Sequence, residues 1–149
     1  MIDPLHAMLG YQLRRTSVAV MSALADELAP LEINPGEASL LMVIGANHGC
    51  TQSDISRALR ARPANLVPLI NKLVMSGALE RAPGKGRAIA LSLSKAGEIL
   101  YAKVERIFDD HEARIGRSVP ADRRAELVEL LRRIGDDACI AMHCAARDA

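Results

Sequence analysis

The segment from Thr51 to Leu93 constrains this chain of 149 residues more than any other, because it sets two short helices, a glycine stop and a hairpin in succession. Thr51-Gln52-Ser53-Asp54 places a hydroxyl three residues ahead of a carboxylate, the pattern that satisfies free backbone N–H groups where a helix begins, so a helix is predicted from Thr51. Ile55 and Leu59 give it one apolar stripe, and Arg60-Ala61-Arg62 leads to Pro63, a residue tolerated in a first helical turn. In the second helix Leu66, Leu69, Ile70 and Leu73 fall on one inward face. The opposite face carries Ala64, Asn65, Pro68, Asn71, Lys72 and Met75, mostly small, polar or basic groups that suit a groove about 12 Å wide. Gly77 ends this helix, and the runs 79–82 and 89–93 around Pro83-Gly84-Lys85-Gly86-Arg87-Ala88 read as a hairpin with a basic tip.

A basic hairpin directly behind a helix-turn-helix is a wing. The chain here resembles the MarR family of winged-helix transcriptional regulators, through Thr51-Gln52-Ser53-Asp54-Ile55-Ser56-Arg57-Ala58-Leu59, Leu69-Ile70-Asn71-Lys72-Leu73, Ser76-Gly77-Ala78-Leu79-Glu80-Arg81 and Leu91-Ser92-Leu93-Ser94-Lys95-Ala96-Gly97. Each fragment is weak alone, but their order and spacing are specific together. Two positions depart from the family. Gly86 precedes Arg87 where the family's wing usually has an Asp, and Pro68 sits in the second turn of the presumed recognition helix. Proline removes the hydrogen bond to the Ala64 carbonyl, so a kink or locally opened turn is expected there.

The totals fit this reading once the chain is divided. Net charge is +1 overall, yet residues 51–95 hold eight Lys or Arg against two acids, a local +6, while residues 1–50 sum to −3 and residues 96–149 to −2. Positive charge is thus concentrated where groove-binding elements lie. The only aromatics are Tyr11, Tyr101 and Phe108, so the core must be aliphatic and an all-β sandwich is excluded. Cys50, Cys139 and Cys144 show no CxxC spacing, which indicates neither a disulfide framework nor a zinc site. No signal segment or membrane-length apolar run is read, and a cytoplasmic protein is expected.

The flanks read as helices. Residues 5–29, with Leu5, Leu9, Leu13, Val20, Leu24 and Leu28, predict one long amphipathic helix closed by Pro30. Asn34-Pro35-Gly36-Glu37 starts a helix whose body is nearly all apolar, hence buried and central. Ser94 opens a helix to about Gly116, and after Ser118-Val119-Pro120 a last helix carries Leu127, Leu130, Leu131, Ile134, Ala138 and Ala141. These two are expected to form an antiparallel hairpin with more apolar surface than one subunit can cover. The fold class is therefore mainly α with a small β-wing: one subunit spanning 1–149, with a winged helix-turn-helix lobe at 33–93 and a helical dimerisation region at 1–32 and 94–149.

The partners implied are double-stranded DNA with a pseudo-palindromic operator, and a second copy of the chain, as the resemblance implies. Candidate DNA-binding residues are Thr51, Gln52 and Ser53 at a helix N-terminus, Arg62, Ala64, Asn65, Pro68, Asn71 and Lys72 along the reading helix, and Lys85 and Arg87 in the wing. Asn65 is favoured for adenine and Ala64 for a thymine methyl. The resemblance also implies a small-molecule effector, often an aromatic carboxylate or related conjugate, with His6, Met8, Arg15, Thr16 and Met42 as candidate lining. The four histidines are scattered, no phosphate-cradling loop follows a strand, and no nucleophile is paired with a base, so no enzyme activity, metal or cofactor is expected. Alternatives on the same residues are a cysteine-based redox-sensing regulator, an architectural DNA protein without sequence choice, and a winged-helix protein-interaction module that never meets DNA.

Overall fold

A computed structural model of the chain describes residues 3–84, 86 and 88–145, with side chains through Ala138. Its elements are α1 (Leu9–Leu28), α2 (Pro35–Ala46), β1 (Cys50–Thr51), α3 (Gln52–Leu59), α4 (Pro63–Met75), β2 (Leu79–Pro83), β3 (Ile89–Leu93), α5 (Lys95–Ile115) and α6 (Arg124–Ala145), joined in places by short 3-10 turns. The chain divides into two compact units, Met1–His111 and Glu112–Ala149, with the division inside α5.

The first unit is built around α2. Asn34 Oδ1 accepts from the Glu37 N–H at 2.9 Å while Glu37 Oε2 accepts from the Asn34 N–H at 3.0 Å, closing a reciprocal cap on the helix start. Beyond the cap, Ala38, Leu40, Leu41 and Ile44 are fully buried. They meet Leu24 and Leu28 of α1, Ile55 of α3, Leu66, Ile70 and Leu73 of α4, Leu79 of β2, Leu91 and Leu93 of β3 and Val104 of α5 in one aliphatic core. The nearly all-apolar sequence of α2 is thus explained by neighbours on every side.

The strands form one antiparallel sheet in the order β1-β3-β2, with Cys50 opposite Leu91 on one edge and Leu79 opposite Leu93 on the other. With two residues, β1 is too short to show an alternation in the sequence. Gly97 at the start of α5 lies tight against this sheet's connection: a Cβ added there would stand 1.9 Å from the Ala78 carbonyl oxygen. Farther along α5, buried His111 places Nδ1 3.2 Å from Glu27 Oε1 of α1.

Two expectations need correction. The first helix begins at Leu9 rather than near residue 5, because the Asp3 carboxylate accepts from the Leu5 N–H at 3.0 Å and the Met8 N–H bonds the Leu5 carbonyl, folding residues 4–7 into a turn. The helix α4 runs without a break from Pro63 to Met75 instead of opening at Pro68. The missing N–H frees only the Ala64 carbonyl, in the exposed second position of the helix, and the buried side chains on the other face hold the remaining turns together.

The second unit is simpler. Arg124 donates to the Gly116 carbonyl at 3.0 Å and the Val119 carbonyl at 3.3 Å, fastening the 3-10 turns to the start of α6. Along α6, Arg132 bridges Glu129 and Asp136. In both units apolar side chains stand uncovered: Leu9, Val18 and Met21 on α1, and Leu127, Val128, Leu130 and Leu131 on α6 are all exposed. Among the described residues, no helix is long and apolar enough to cross a membrane.

Candidate nucleic-acid interface

The site is assembled from α3, the turn after it, α4 and the hairpin base. Thr51 closes a capping box with Asp54: its backbone N–H donates to Oδ2 at 2.9 Å, and its hydroxyl accepts from the Asp54 N–H at 3.3 Å. The hydroxyl of Thr51, with its backbone N–H, holds the Asp54 carboxyl below its ordinary range. Arg60 then adopts a left-handed conformation with φ 50° and reverses the chain into α4. Gln52 reaches across this turn, Nε2 to the Pro63 carbonyl at 3.5 Å. With Ser53, Ser56 and Arg57 it lines a shallow depression between the starts of the two helices.

In α4 the buried Leu66, Ile70 and Leu73 fix the helix against the core, and Arg62, Ala64, Asn65, Pro68 and Asn71 remain exposed on the other side. The helix stops in a left-handed Gly77, φ +76°, with the Ala78 N–H bonding the Leu73 carbonyl and the Gly77 N–H bonding the Val74 carbonyl. The sequence candidates therefore share one face. Lys85 and Arg87 lie outside the described residues.

Two candidates on that face are held by partners that sequence reading did not supply. Lys72 Nζ lies 2.8 Å from Oε1 of Glu37, whose side chain is only 1% exposed, so its charge is tied to the scaffold. Asn71 Oδ1 accepts from Nη2 of Arg81, on β2, at 2.6 Å. Arg81 was overlooked because its strand reads as structural. The one signal available was its place among the cations that make residues 51–95 basic.

The five effector candidates fall in three places along the chain. His6 and Met8 lie in the turn before α1, where Gln12 Nε2 donates to the His6 carbonyl at 2.6 Å. Arg15 and Thr16 are exposed on α1, and Met42 is half-buried on α2 against the core. Among the described residues, no hydrogen bond or ion pair joins any two of them. The thiol of Cys50, in β1, is pushed up by burial and by the nearby Asp54 charge, which opposes thiolate formation. Side chains of Cys139 and Cys144 lie outside the described residues. No group of three His, Cys, Asp or Glu side chains able to hold a metal occurs among the described residues.

Helix, turn, second helix and hairpin on a buried central helix define a winged helix-turn-helix fold. No family model matches the chain. It is 26% identical over 129 residues to a protein of Thauera aromatica assigned as transcriptional regulator of the hcr operon, covering 85% of this chain and 78% of that one. Its structure superposes on the transcriptional repressor CouR bound to a 23-mer DNA duplex with a TM-score of 0.81 at 25% identity, covering 91% of this chain and 99% of that one. A MarR-family regulator from Rhodococcus sp. RHA1 gives a TM-score of 0.77 at 20% identity, with 89% and 96% covered. The fold is that of the MarR-family regulators, and the relatives and neighbours it matches are transcriptional regulators.

Proposed function

We propose that two copies of this chain form a cytoplasmic homodimer that binds a pseudo-palindromic operator, represses transcription and is released by a small molecule. The observation that carries the reading is the outer face of α4, where Asn65, Asn71 and Arg62 stand exposed on a helix whose inner face is locked into the core. The DNA-bound state of CouR, at 25% identity, supports it. The uncovered apolar side chains of α1 and α6 support a second copy, since burying them against an equivalent surface removes them from water. Two-fold symmetry then presents the reading helices to half-sites roughly 34 Å apart.

In this reading Thr51, Gln52 and Ser53 meet phosphate at the start of α3, α4 reads bases, and Lys85 and Arg87 supply wing charge. The effector is an aromatic carboxylate or related conjugate, with His6, Met8, Arg15, Thr16 and Met42 as its proposed lining.

Fluorescence anisotropy with genomic fragments, repeated across salt concentrations, tests the function. Affinity should fall steeply with salt. Asn65→Ala should relax preference at one base position by about 1–3 kcal/mol, whereas Lys85→Ala should lower affinity across sequences. A strictly monomeric protein, or one that ignores every duplex at low salt, refutes the reading.

A further inference from the structure

Beyond the capping Arg62, the outer face of α4 is poorly equipped to read guanine, which is recognised through O6 and N7 by two donors of an arginine or lysine. Arg62 stands at the cap before the helix; within Pro63–Met75 the one cation is Lys72, and its ammonium group stands 2.8 Å and 3.0 Å from the two carboxylate oxygens of Glu37. Asn71 offers its oxygen to Arg81 at 2.6 Å, and a guanidinium only donates, so that acceptor is already engaged. Pro68 has no N–H to contribute.

What the middle of this face does present is hydrocarbon. Val67, Ala64 and Pro68 fall within an arc of about 100°, Ala64 and Pro68 opposite the buried Leu66, Ile70 and Leu73 and Val67 at its edge, while Asn71 and Met75 share the arc farther along the helix. Val67 is 41% exposed despite being a large apolar side chain, and Met75 at the end of the helix is 87% exposed. Resting on the DNA-binding reading above, we propose that Ala64, Val67 and Pro68 form an apolar contact for the 5-methyl groups of thymine, so that the half-site carries T·A pairs opposite the middle of α4.

Thymine is the one base that shows a methyl in the major groove, so hydrocarbon discriminates there where hydrogen-bond donors do not. Cytosine offers an amino donor instead. Against this surface that donor loses its water and gains no acceptor, which disfavours it. Asn65, at the flank of the same face, is placed for the amino and N7 groups of an adjacent adenine.

The test starts from duplexes enriched out of a random pool by the full-length protein at low salt. Each is resynthesised with deoxyuridine in place of thymidine, which deletes the methyl and keeps the base-pairing edge. Affinity should fall about four-fold for each contacted methyl. Val67→Thr, which preserves the side chain's branching, should narrow the difference between the two duplexes. Equal binding of thymine and uracil duplexes, or enriched half-sites lacking T, overturns the methyl contact while DNA binding stands. If no duplex is enriched or bound, the DNA-binding reading falls and the contact falls with it.

Discussion

Lys72 and Glu37 form a charged pair across α4 and α2, 2.8 Å apart, in which the lysine side chain is 57% exposed and the glutamate 1%. The asymmetry matters. Glu37 also caps α2 through Asn34, so a single carboxylate orders the start of the central helix and sets the position of the reading helix on it.

Lys72→Met should therefore act on folding before it acts on DNA. Leaving Glu37 buried without its cation costs about 1–2 kcal/mol, discounted for the solvent that reaches the lysine end. The urea midpoint should drop while the salt slope of DNA binding stays at the wild-type value. A slope reduced by about 0.9 at unchanged stability would place Lys72 on a phosphate instead.

Gly97→Ala should be severely destabilising for a steric reason. The added Cβ falls 1.9 Å from the Ala78 carbonyl oxygen, a backbone atom that cannot move without disturbing the turn between α4 and β2. Overpacking of this kind costs about 2–3 kcal/mol, visible as a lowered thermal midpoint. Gly135→Ala is the control, since nothing lies within 4 Å of a Cβ there.

Asp54 gives stability a pH dependence of known sign. The Thr51 hydroxyl and N–H hold its folded carboxyl below the ordinary value, so its contribution is present above the unfolded pKa and is lost as pH falls through the folded one. Asp54→Asn should lower the urea midpoint at about pH 7, and the gap from wild type should narrow as pH falls below the ordinary carboxylate range. A constant gap across that range would assign the effect to something other than ionisation.

Cys50 should be a slow thiol. Burial and the Asp54 charge raise its pKa, which leaves less thiolate at neutral pH than a free cysteine has. Alkylation of Cys50, followed by peptide mass spectrometry, should lag behind a small thiol at the same pH. Cys50→Ser should leave any response of DNA binding to peroxide unchanged. Fast alkylation would restore Cys50 as a sensor candidate.

The features legible in the sequence were those that a few consecutive residues determine. Asn34 with Glu37, Thr51 with Asp54, and Gly77 each state a helix boundary locally, and the period of Leu66, Ile70 and Leu73 states which face of α4 is buried. Pairings made by tertiary approach were not legible. Glu37 meets Lys72 across 35 positions, Arg81 meets Asn71 across 10, and β1 exists only because β3 lies beside it. Leu5 belongs to the hydrophobic period of α1 yet lies outside it, because the Asp3 side chain offers the backbone a competing turn.

The two-residue strand β1 has one more consequence. Cys50 and Thr51 are stitched to Leu91 and Ala90, and the Gly49 N–H to the Leu91 carbonyl, so the middle of β3 is anchored to the entrance of α3. On the DNA-binding function proposed above, lengthening or trimming the hairpin would alter its reach along a duplex and leave α4 in place. That makes the hairpin the natural dial for retuning a regulator of this shape to a differently spaced target.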